Sequence, residues 1–251
     1  MSIEYHINLK PGQVSKYCLI CGDPGRAVKI SKYFDEGTAE ELSFNREYHS
    51  FNGKYKGVPI TVCSTGIGSP STVIGIEELA RCGADTFIRV GTCGSLQADI
   101  PVGSIVNATG SIRDEGTSQQ YVPAEFPAVA NVDIVIALRK AANDQLKNEN
   151  FPYFEGIGHS KDAFYSETPE MIPDPLVAYR WKSWINAGAI FTEMENSALF
   201  VVSYIRKWRA GAIAAVIGNT HSDTPIVDSK AGVETAIKIA LEAIVKIAHN
   251  D

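Results

Sequence analysis

Short apolar runs rich in β-branched residues alternate along this chain with longer segments that have the period of an amphipathic helix. That alternation is typical of helices packed on a largely parallel sheet. We predict strands over residues 17–21, 60–64, 86–90, 104–108, 154–158, 189–192 and 210–217. We predict helices over residues 27–34, 71–82, 132–148, 176–187, 195–208 and 231–248.

One segment breaks the alternation of strand and helix. Asn52-Gly53, between two extended runs, suits the tight turn of an antiparallel hairpin, so the sheet is expected to be mixed. No linker or internal repeat divides the sequence, and residues 1–251 are therefore expected to form a single α/β domain.

Composition excludes several classes of protein. A formal net charge of -6 gives no basic field for nucleic acid. No apolar run reaches the length of a membrane span, and the first ten residues lack a signal core. The five cysteines are an odd set in mostly apolar runs, typical of buried thiols rather than disulfides or a zinc site. These features predict a cytoplasmic protein without membrane or nucleic-acid partners.

Four loops that follow predicted strands carry unusual chemistry, and ligands of open α/β sheets bind at such loops. They are Gly22-Asp23-Pro24-Gly25-Arg26, residues 64–71 (STGIGSPS), residues 89–95 (RVGTCGS) and residues 191–195 (FTEME). In the first loop, a turn with two glycines leads into a helix start and an arginine, a combination that can bind an anion. Taken alone, it is also a common turn with a solvated arginine.

The charged residues of the later loops allow both structural and functional interpretations. Arg89 lies inside an apolar strand, where burial requires an anionic partner; that partner is either a ligand or a structural salt bridge. Glu195 is either a functional carboxylate or an ordinary acid at a helix start. The structural interpretation of Glu193 is a buried partner for an arginine. The pattern Gly66-Ile67-Gly68 lacks the third glycine of a dinucleotide site, because Ser71 stands there.

Taken in order, the motifs resemble the nucleoside phosphorylase family, which includes uridine phosphorylases and hexameric bacterial purine nucleoside phosphorylases. The resemblance spans nearly the whole chain and is closest to uridine phosphorylases. It rests on Tyr5-His6, GDPGR (22–26), Asn45-Arg46-Glu47, STGIGSPS (64–71), EEL (77–79), RVGTCG (89–94), EGTS (115–118), EFPAV (125–129), KDAFY (161–165) and EMENSALF (193–200). It implies a single-domain, three-layer α/β/α fold with a central mixed sheet.

The resemblance also implies a reaction, the phosphorolysis of a nucleoside by inorganic phosphate to a pentose 1-phosphate and a free base, without an organic cofactor. It assigns Gly22, Arg26, Arg46, Arg89, Gly91 and Thr92 to phosphate. It assigns His6, Glu193, Met194 and Glu195 to the ribose, and Thr92, Cys93, Gly94 and Phe164 to the base. Arg89 and Glu195 are expected catalytic residues, since the transition state resembles an oxocarbenium ion. Asn219 is the third, as a hydrogen-bond donor to the base.

In this family a histidine near the N-terminus and an arginine reach into the site of a neighbouring subunit. The resemblance therefore implies that His6 and Arg46 complete a partner's site, in a homo-oligomer expected to be a hexamer built as a trimer of dimers. Glu47, Ile67 and Ser71 match positions that hold a monovalent cation in some relatives, which predicts a K⁺ site.

The base pocket departs from the family pattern. Uridine phosphorylases use a glutamine and an arginine just after the Phe-Tyr pair, whereas the corresponding stretch here is shorter and contains neither. Glu167 is the candidate acceptor for uracil N3–H. Purine enzymes carry an aspartate general acid after the last strand, where this chain has Asn219. Asp223 or His221 would replace that acid if the loop folds inward. A uridine-like substrate is favoured, with a purine nucleoside as the alternative.

Two further functions stay open at this stage. A hydrolase of the same superfamily would use water as the nucleophile and would not need Arg26, Arg46 and Arg89. A non-catalytic nucleoside-binding protein would explain the altered base pocket, but not the retention of both the phosphate and the ribose motifs.

Overall fold

The computed structural model describes residues 2–167, 172–219 and 230–251. Its strands are β1 Tyr17–Cys21, β2 Glu40–Asn45, β3 Tyr48–Tyr55, β4 Val58–Ser64, β5 Thr86–Ser95, β6 Ile105–Asp114, β7 Ala128–Val129, β8 Tyr153–Lys161, β9 Phe191–Glu193 and β10 Arg209–Asn219. Its helices are α1 Pro24–Ser31, α2 Ser69–Cys82, α3 Val132–Gln145, α4 Pro175–Asn186, α5 Asn196–Ile205 and α6 Val233–Ala248. Single 3-10 turns cover Ser118–Gln120 and Phe164–Glu167.

All ten of these strands belong to one mixed sheet. The order β5-β1-β4-β3-β2 extends to one side, and β1 pairs in parallel with both β4 and β5. On the other side β5 pairs with β10 and with β9, while β6 and β8 connect β10 to β9. Five strands therefore close into a ring, and closed sheets need strongly bent strands.

Helices cover both faces of the sheet, which confirms the predicted three layers and the mixed sheet. One core joins α1, α3 and α6 to one face, and a second core joins α2 and α5 to the other. Trp181 of α4 packs in a small separate cluster with Leu96 and Ala189. The helices thus bury both sides of the strands, as the near-continuous apolar strand sequences require.

The predicted hairpin turn at Asn52-Gly53 is wrong. Both residues lie inside β3, and the turn falls at Lys56 and Gly57, which adopt φ angles of 51° and 80°. Positive φ at both central residues is the geometry that two-residue hairpins favour. Gly53 is needed within the strand for a different reason, since a Cβ there would lie 2.1 Å from the ring of Phe34.

No helix within the described ranges is long and apolar enough to cross a lipid bilayer. The longest, α6, has 16 residues, and its buried side chains form one face packed on the sheet.

Candidate active site

A cavity of about 610 Å³ opens where several strands end, as the strand-end argument predicts. Its wall is built from the loops after β1 and β4, the C-terminal half of β5, the ends of β8 and β10, and the segment from β9 into α5. The lining residues are Gly22, Asp23, Pro24, Arg26, Gly66, Ile67, Arg89, Thr92, Cys93, Gly94, Lys161, Phe164, Glu167, Thr192, Glu193, Met194, Glu195, Ile217 and Gly218.

Two arginines meet at one end of this cavity. The loop before α1 is set by Asp23, whose carboxylate accepts a hydrogen bond from the backbone N–H of Gly25 at 2.8 Å and caps the helix. Arg26 follows in the first turn and donates to the Val90 carbonyl at 3.1 Å. Burial and the neighbouring charge of Arg89 lower the pKa of Arg26. Two guanidinium groups in one partly buried space favour an anion between them.

Arg89 is buried and pairs with two carboxylates. Its Nη2 donates to Glu195, and its Nη1 lies 3.5 Å from Glu193. Burial acts to lower the pKa of Arg89, but the two carboxylates outweigh it, so the pKa is raised and the guanidinium stays charged. Within the described residues Nη1 donates no hydrogen bond, which leaves one buried donor for a further acceptor.

Gly91 makes room for this arginine. A Cβ at Gly91 would lie 2.1 Å from Nη1 of Arg89. Gly91 does not line the cavity itself, so the structure gives it a supporting position behind the guanidinium.

Glu195 is held in the cavity wall from two sides. It is only 4% exposed, and besides Arg89 it accepts a hydrogen bond from the backbone N–H of Gly68 at 2.6 Å. The Ser69 hydroxyl donates to the Met194 carbonyl at 2.9 Å. The loop that begins α2 thus fixes the Met194-Glu195 segment.

Glu193 anchors the start of α5. Its Oε2 accepts from the backbone N–H groups of Glu195 at 2.7 Å and Asn196 at 2.9 Å, as a capping carboxylate does. Its other oxygen accepts from the Ser160 hydroxyl. Burial raises the pKa of Glu193, while Arg89 opposes that rise. Glu193 therefore supports both Arg89 and Glu195 and also reaches the cavity surface.

Lys161 is a functional candidate that sequence reasoning missed. It ends β8, is 2% exposed, and donates to Glu167 at 2.6 Å and to the Thr192 hydroxyl at 2.8 Å. Its Nζ lies 5.7 Å from the ring centre of Phe164. The available signal was a lysine inside the matched KDAFY motif at a strand end. Beside Lys161, Phe164 is 39% exposed and presents an aromatic face.

Cys93 also lines the cavity. Burial raises the pKa of its thiol, so the side chain is a neutral wall group rather than a nucleophile. All five cysteines are free and buried, as predicted.

His6 and Arg46 lie together away from the cavity lining. The Nδ1 of His6 is 2.6 Å from a carboxylate oxygen of Glu78, and the Arg46 guanidinium lies 5.6 Å from the ring centre of Tyr5. Arg46 has a φ of 56° at the turn between β2 and β3 and is exposed. Neither residue reaches the cavity of its own chain, which is compatible with the shared-site prediction.

The three residues of the predicted K⁺ site lie near one another. The Glu47 side chain packs against Gly66, and the Ser71 hydroxyl donates to the Ile67 carbonyl at 3.1 Å. Two of the three oxygen groups therefore already bond to each other. Elsewhere in the described chain, no three His, Cys, Asp or Glu side chains converge on a metal-sized site.

Asn219 ends β10 next to the cavity-lining Gly218, but does not line the cavity itself. Its amide Nδ2 lies 3.5 Å from the Ile100 carbonyl. Asp223 and His221 lie outside the described residues.

Known proteins are similar to this chain over nearly its whole length. A family model described as the phosphorylase superfamily matches residues 16–248. A uridine phosphorylase of Treponema pallidum is 41% identical over 99% of this chain and 95% of its own. A guanosine phosphorylase of Halorubrum lacusprofundi is 39% identical over 97% of this chain and 99% of its own.

A crystal structure of uridine phosphorylase from Vibrio fischeri ES114 superposes with a TM-score of 0.83 at 37% identity, covering 98% of both chains. The order of motifs, the closed mixed sheet and these similarities agree. The chain belongs to the phosphorylase superfamily.

Proposed function

We propose that the protein is a nucleoside phosphorylase that transfers the pentose of a nucleoside, preferably a uridine-like one, to inorganic phosphate. The observation that carries the proposal is that one cavity holds Arg26, Arg89 and Glu195 together with a separate buried cation, Lys161. Phosphorolysis needs these groups: cations that bind phosphate, a carboxylate that binds the sugar, and a cationic hydrogen-bond donor that stabilises the departing base. Relatives named uridine phosphorylase support the same reaction.

Phosphate is proposed to bind between Arg26 and Arg89, with Gly22 and Thr92 lining the same end and Gly91 behind Arg89. The start of α1 adds backbone N–H groups and a positive helix end. Charge-assisted bonds from two guanidinium groups orient one phosphate oxygen toward C1′ of the sugar. No organic cofactor is required for this attack.

Glu195 is proposed to accept hydrogen bonds from the ribose hydroxyls, with Met194 against the sugar face. As the bond between C1′ and the base breaks, positive charge grows on the ribose. The carboxylate and the bound phosphate stabilise that charge electrostatically. Glu193 contributes by holding Arg89 and Glu195 in place.

The base is proposed to lie at the other end, against Phe164, Cys93 and Gly94. Lys161 can donate to a carbonyl of the base, and Glu167 can accept the neighbouring ring N–H. Uracil presents that pair of groups at O4 and N3, and again at O2 and N3. This ion pair therefore supplies a donor and an acceptor where the glutamine and arginine of other uridine phosphorylases are missing.

A purine nucleoside is the alternative substrate, because a 6-oxopurine presents the same pair of groups at O6 and N1. Relatives named guanosine phosphorylase and, in Plasmodium falciparum, purine nucleoside phosphorylase also favour it. In that case Asn219, beside Gly218 at the cavity edge, is the proposed donor to the purine ring, and Asp223 the proposed acid.

We propose a homo-hexamer in which His6 and Arg46 of one subunit complete the ribose and phosphate sites of the next, in a cytoplasmic enzyme of nucleoside salvage. K⁺ at Glu47, Ile67 and Ser71 belongs to the same proposal, and no catalytic step depends on it.

Base release from uridine, thymidine, inosine, guanosine and adenosine, each with and without phosphate, tests the function. The expected result is phosphate-dependent release, fastest from uridine and slow from adenosine. Base release at the same rate with and without phosphate would instead indicate a nucleosidase. No base release from any of the nucleosides would favour a binding protein. Faster release from inosine or guanosine than from uridine would replace the pyrimidine preference with the purine one.

A further inference from the structure

A buried histidine outside the cavity is connected to it by hydrogen bonds. His159 lies in β8 and is 1% exposed. Its Nε2 is 3.1 Å from a carboxylate oxygen of Asp114, and its Nδ1 is 3.2 Å from the Thr192 hydroxyl. Asp114 also accepts from Arg180, so its carboxylate is charged and can only accept.

These partners determine the position of the ring proton. Because Asp114 can only accept, Nε2 of His159 carries the proton and Nδ1 is left as an acceptor. Nδ1 then accepts a hydrogen bond from the Thr192 hydroxyl. The lone pairs of that hydroxyl oxygen remain free to accept from Lys161, whose Nζ lies 2.8 Å away.

The direction of these hydrogen bonds fixes the orientation of the Lys161 ammonium group. Lys161 has three N–H donors; one goes to Thr192 and one to Glu167. Among the described residues, Glu167 and Thr192 are the two acceptors that Nζ reaches, so the third N–H has no acceptor there. Lys161 itself lines the cavity. With two bonds fixed, the third donor has one remaining direction, and the ammonium group cannot rotate freely.

The surroundings keep the histidine neutral. The His159 ring is nearly perpendicular to the Trp181 ring, with 5.3 Å between the ring centres, and its centre lies 6.4 Å from that of Trp184. Burial and the charge of Lys161 lower the pKa of His159 to about 3, while Glu167 acts in the opposite direction. A protonated ring would place a donor against the Thr192 oxygen and break the order of bonds.

We propose that His159 is a positioning residue which, through Thr192, orients the Lys161 ammonium group toward the departing base. This inference rests on the proposed function. When phosphate forms its bond to C1′ and the bond from C1′ to the base nitrogen breaks, the electron pair moves into the base and onto its carbonyl oxygen. Lys161 stabilises that charge by a hydrogen bond and keeps its own proton.

The test compares His159→Leu, which removes both ring nitrogens, with His159→Asn, whose amide oxygen can replace Nδ1 as the acceptor. The substrates are uridine and 5-fluorouridine, whose base leaves more readily because fluorine withdraws electrons. For His159→Leu we expect kcat/KM for uridine to fall about 10- to 100-fold, the effect of one hydrogen bond to a charged group. The loss with 5-fluorouridine should be several-fold smaller, and the KM for phosphate should not change.

Two further variants separate positioning from packing. Thr192→Val breaks the same chain of bonds with little change in volume, and should reproduce the substrate-dependent loss even if His159→Leu fails to fold. Trp184→Phe alters the packing around His159 without removing a bond of the chain. Trp184→Phe should leave the ratio of kcat/KM for uridine to kcat/KM for 5-fluorouridine at the wild-type value. His159→Asn should recover most of the activity that His159→Leu loses.

Equal losses for both substrates in His159→Leu and Thr192→Val, or no loss, would overturn the inference while leaving phosphorolysis intact. A wild-type protein that releases no base from either nucleoside with phosphate would overturn the proposed function for these substrates, and the inference with it. The two failures are thus distinguished by the wild-type reaction alone.

Discussion

The guanidinium of Arg89 hydrogen-bonds to the carboxylate of Glu195 inside the cavity, from strand β5 to the start of helix α5. Both side chains are buried, and Glu193 lies 3.5 Å from the same guanidinium. A buried charge keeps its place only when it is paired, so each member of this group depends on the others. The residues proposed for phosphate and for the sugar are therefore coupled.

That coupling predicts different outcomes for two substitutions of Arg89. Arg89→Ala should abolish phosphate-dependent turnover and also lower the free energy of unfolding by about 3–5 kcal/mol, because two buried carboxylates lose their partner. Arg89→Lys keeps the charge but loses the forked geometry. It should retain most of the stability and lose about 100-fold in kcat/KM for phosphate. Urea unfolding and steady-state kinetics measure the two effects, and unchanged turnover in both variants would refute the phosphate assignment.

Gly91→Ala should weaken phosphate binding indirectly, through Arg89. The new Cβ would lie 2.1 Å from Nη1 of Arg89, so the guanidinium must move. We expect the KM for phosphate to rise by about tenfold or more. Nucleoside binding in the absence of phosphate should weaken less, because Glu195 keeps its hydrogen bond from the backbone N–H of Gly68. Gly94→Ala, where the nearest atom is 3.5 Å away on Thr192, is the matched control on the same strand. Equal effects of the two variants on phosphate would contradict the supporting position of Gly91.

Lys161→Met should reduce kcat/KM for uridine by about 100-fold, because the leaving base loses its charged donor. The same change leaves Glu167, whose side chain is 13% exposed, without its partner and should lower thermal stability. The double variant Lys161→Met/Glu167→Gln should regain that stability but not the activity. Recovery of activity in the double variant would show that Lys161 only neutralises Glu167.

His159 predicts a pH dependence of stability. Its folded-state pKa is about 3, against an ordinary value near 6.5, so between these values the unfolded chain binds more protons. The stability of the wild-type protein should therefore be fully present above about pH 6.5 and fall with decreasing pH, by up to about 1.4 kcal/mol per pH unit. His159→Asn cannot titrate, so the difference in melting temperature between the two proteins should narrow from pH 7 to pH 4.5. A constant difference across that range would contradict a buried neutral histidine.

Much of the fold follows from the sequence because its signals are local. The apolar run of β1 was predicted at its observed bounds, and the helices were each predicted to within a few residues. The sequence predictions are wrong where contacts between residues far apart in the chain determine the extent or the existence of a strand. β5 runs on through Gly91 and Gly94 to Ser95, because β10 pairs along its whole length and bends with it. β2 is mostly polar and only half of its residues are exposed, and its pairing with β3 makes it a strand.

Some of the site residues could likewise be predicted from local sequence, and others could not. The loops that bring Arg26, Arg89 and Glu195 together were recognisable, since each carries a charged residue at a strand end that burial alone does not explain. Lys161 was missed because its importance depends on Glu167 and Thr192, which only the folded chain brings within hydrogen-bond distance. The single domain over residues 1–251, the shared subunit site and the K⁺ site stay predictions.

The central claim is that phosphate, and not water, receives the pentose. Phosphorus NMR of the wild-type protein with uridine and inorganic phosphate tests it most directly, with Arg89→Lys run in parallel. The account predicts a new pentose 1-phosphate signal that grows in step with free uracil, and grows far more slowly in the variant. Release of free base without that signal, for uridine and for the purine nucleosides alike, would contradict it.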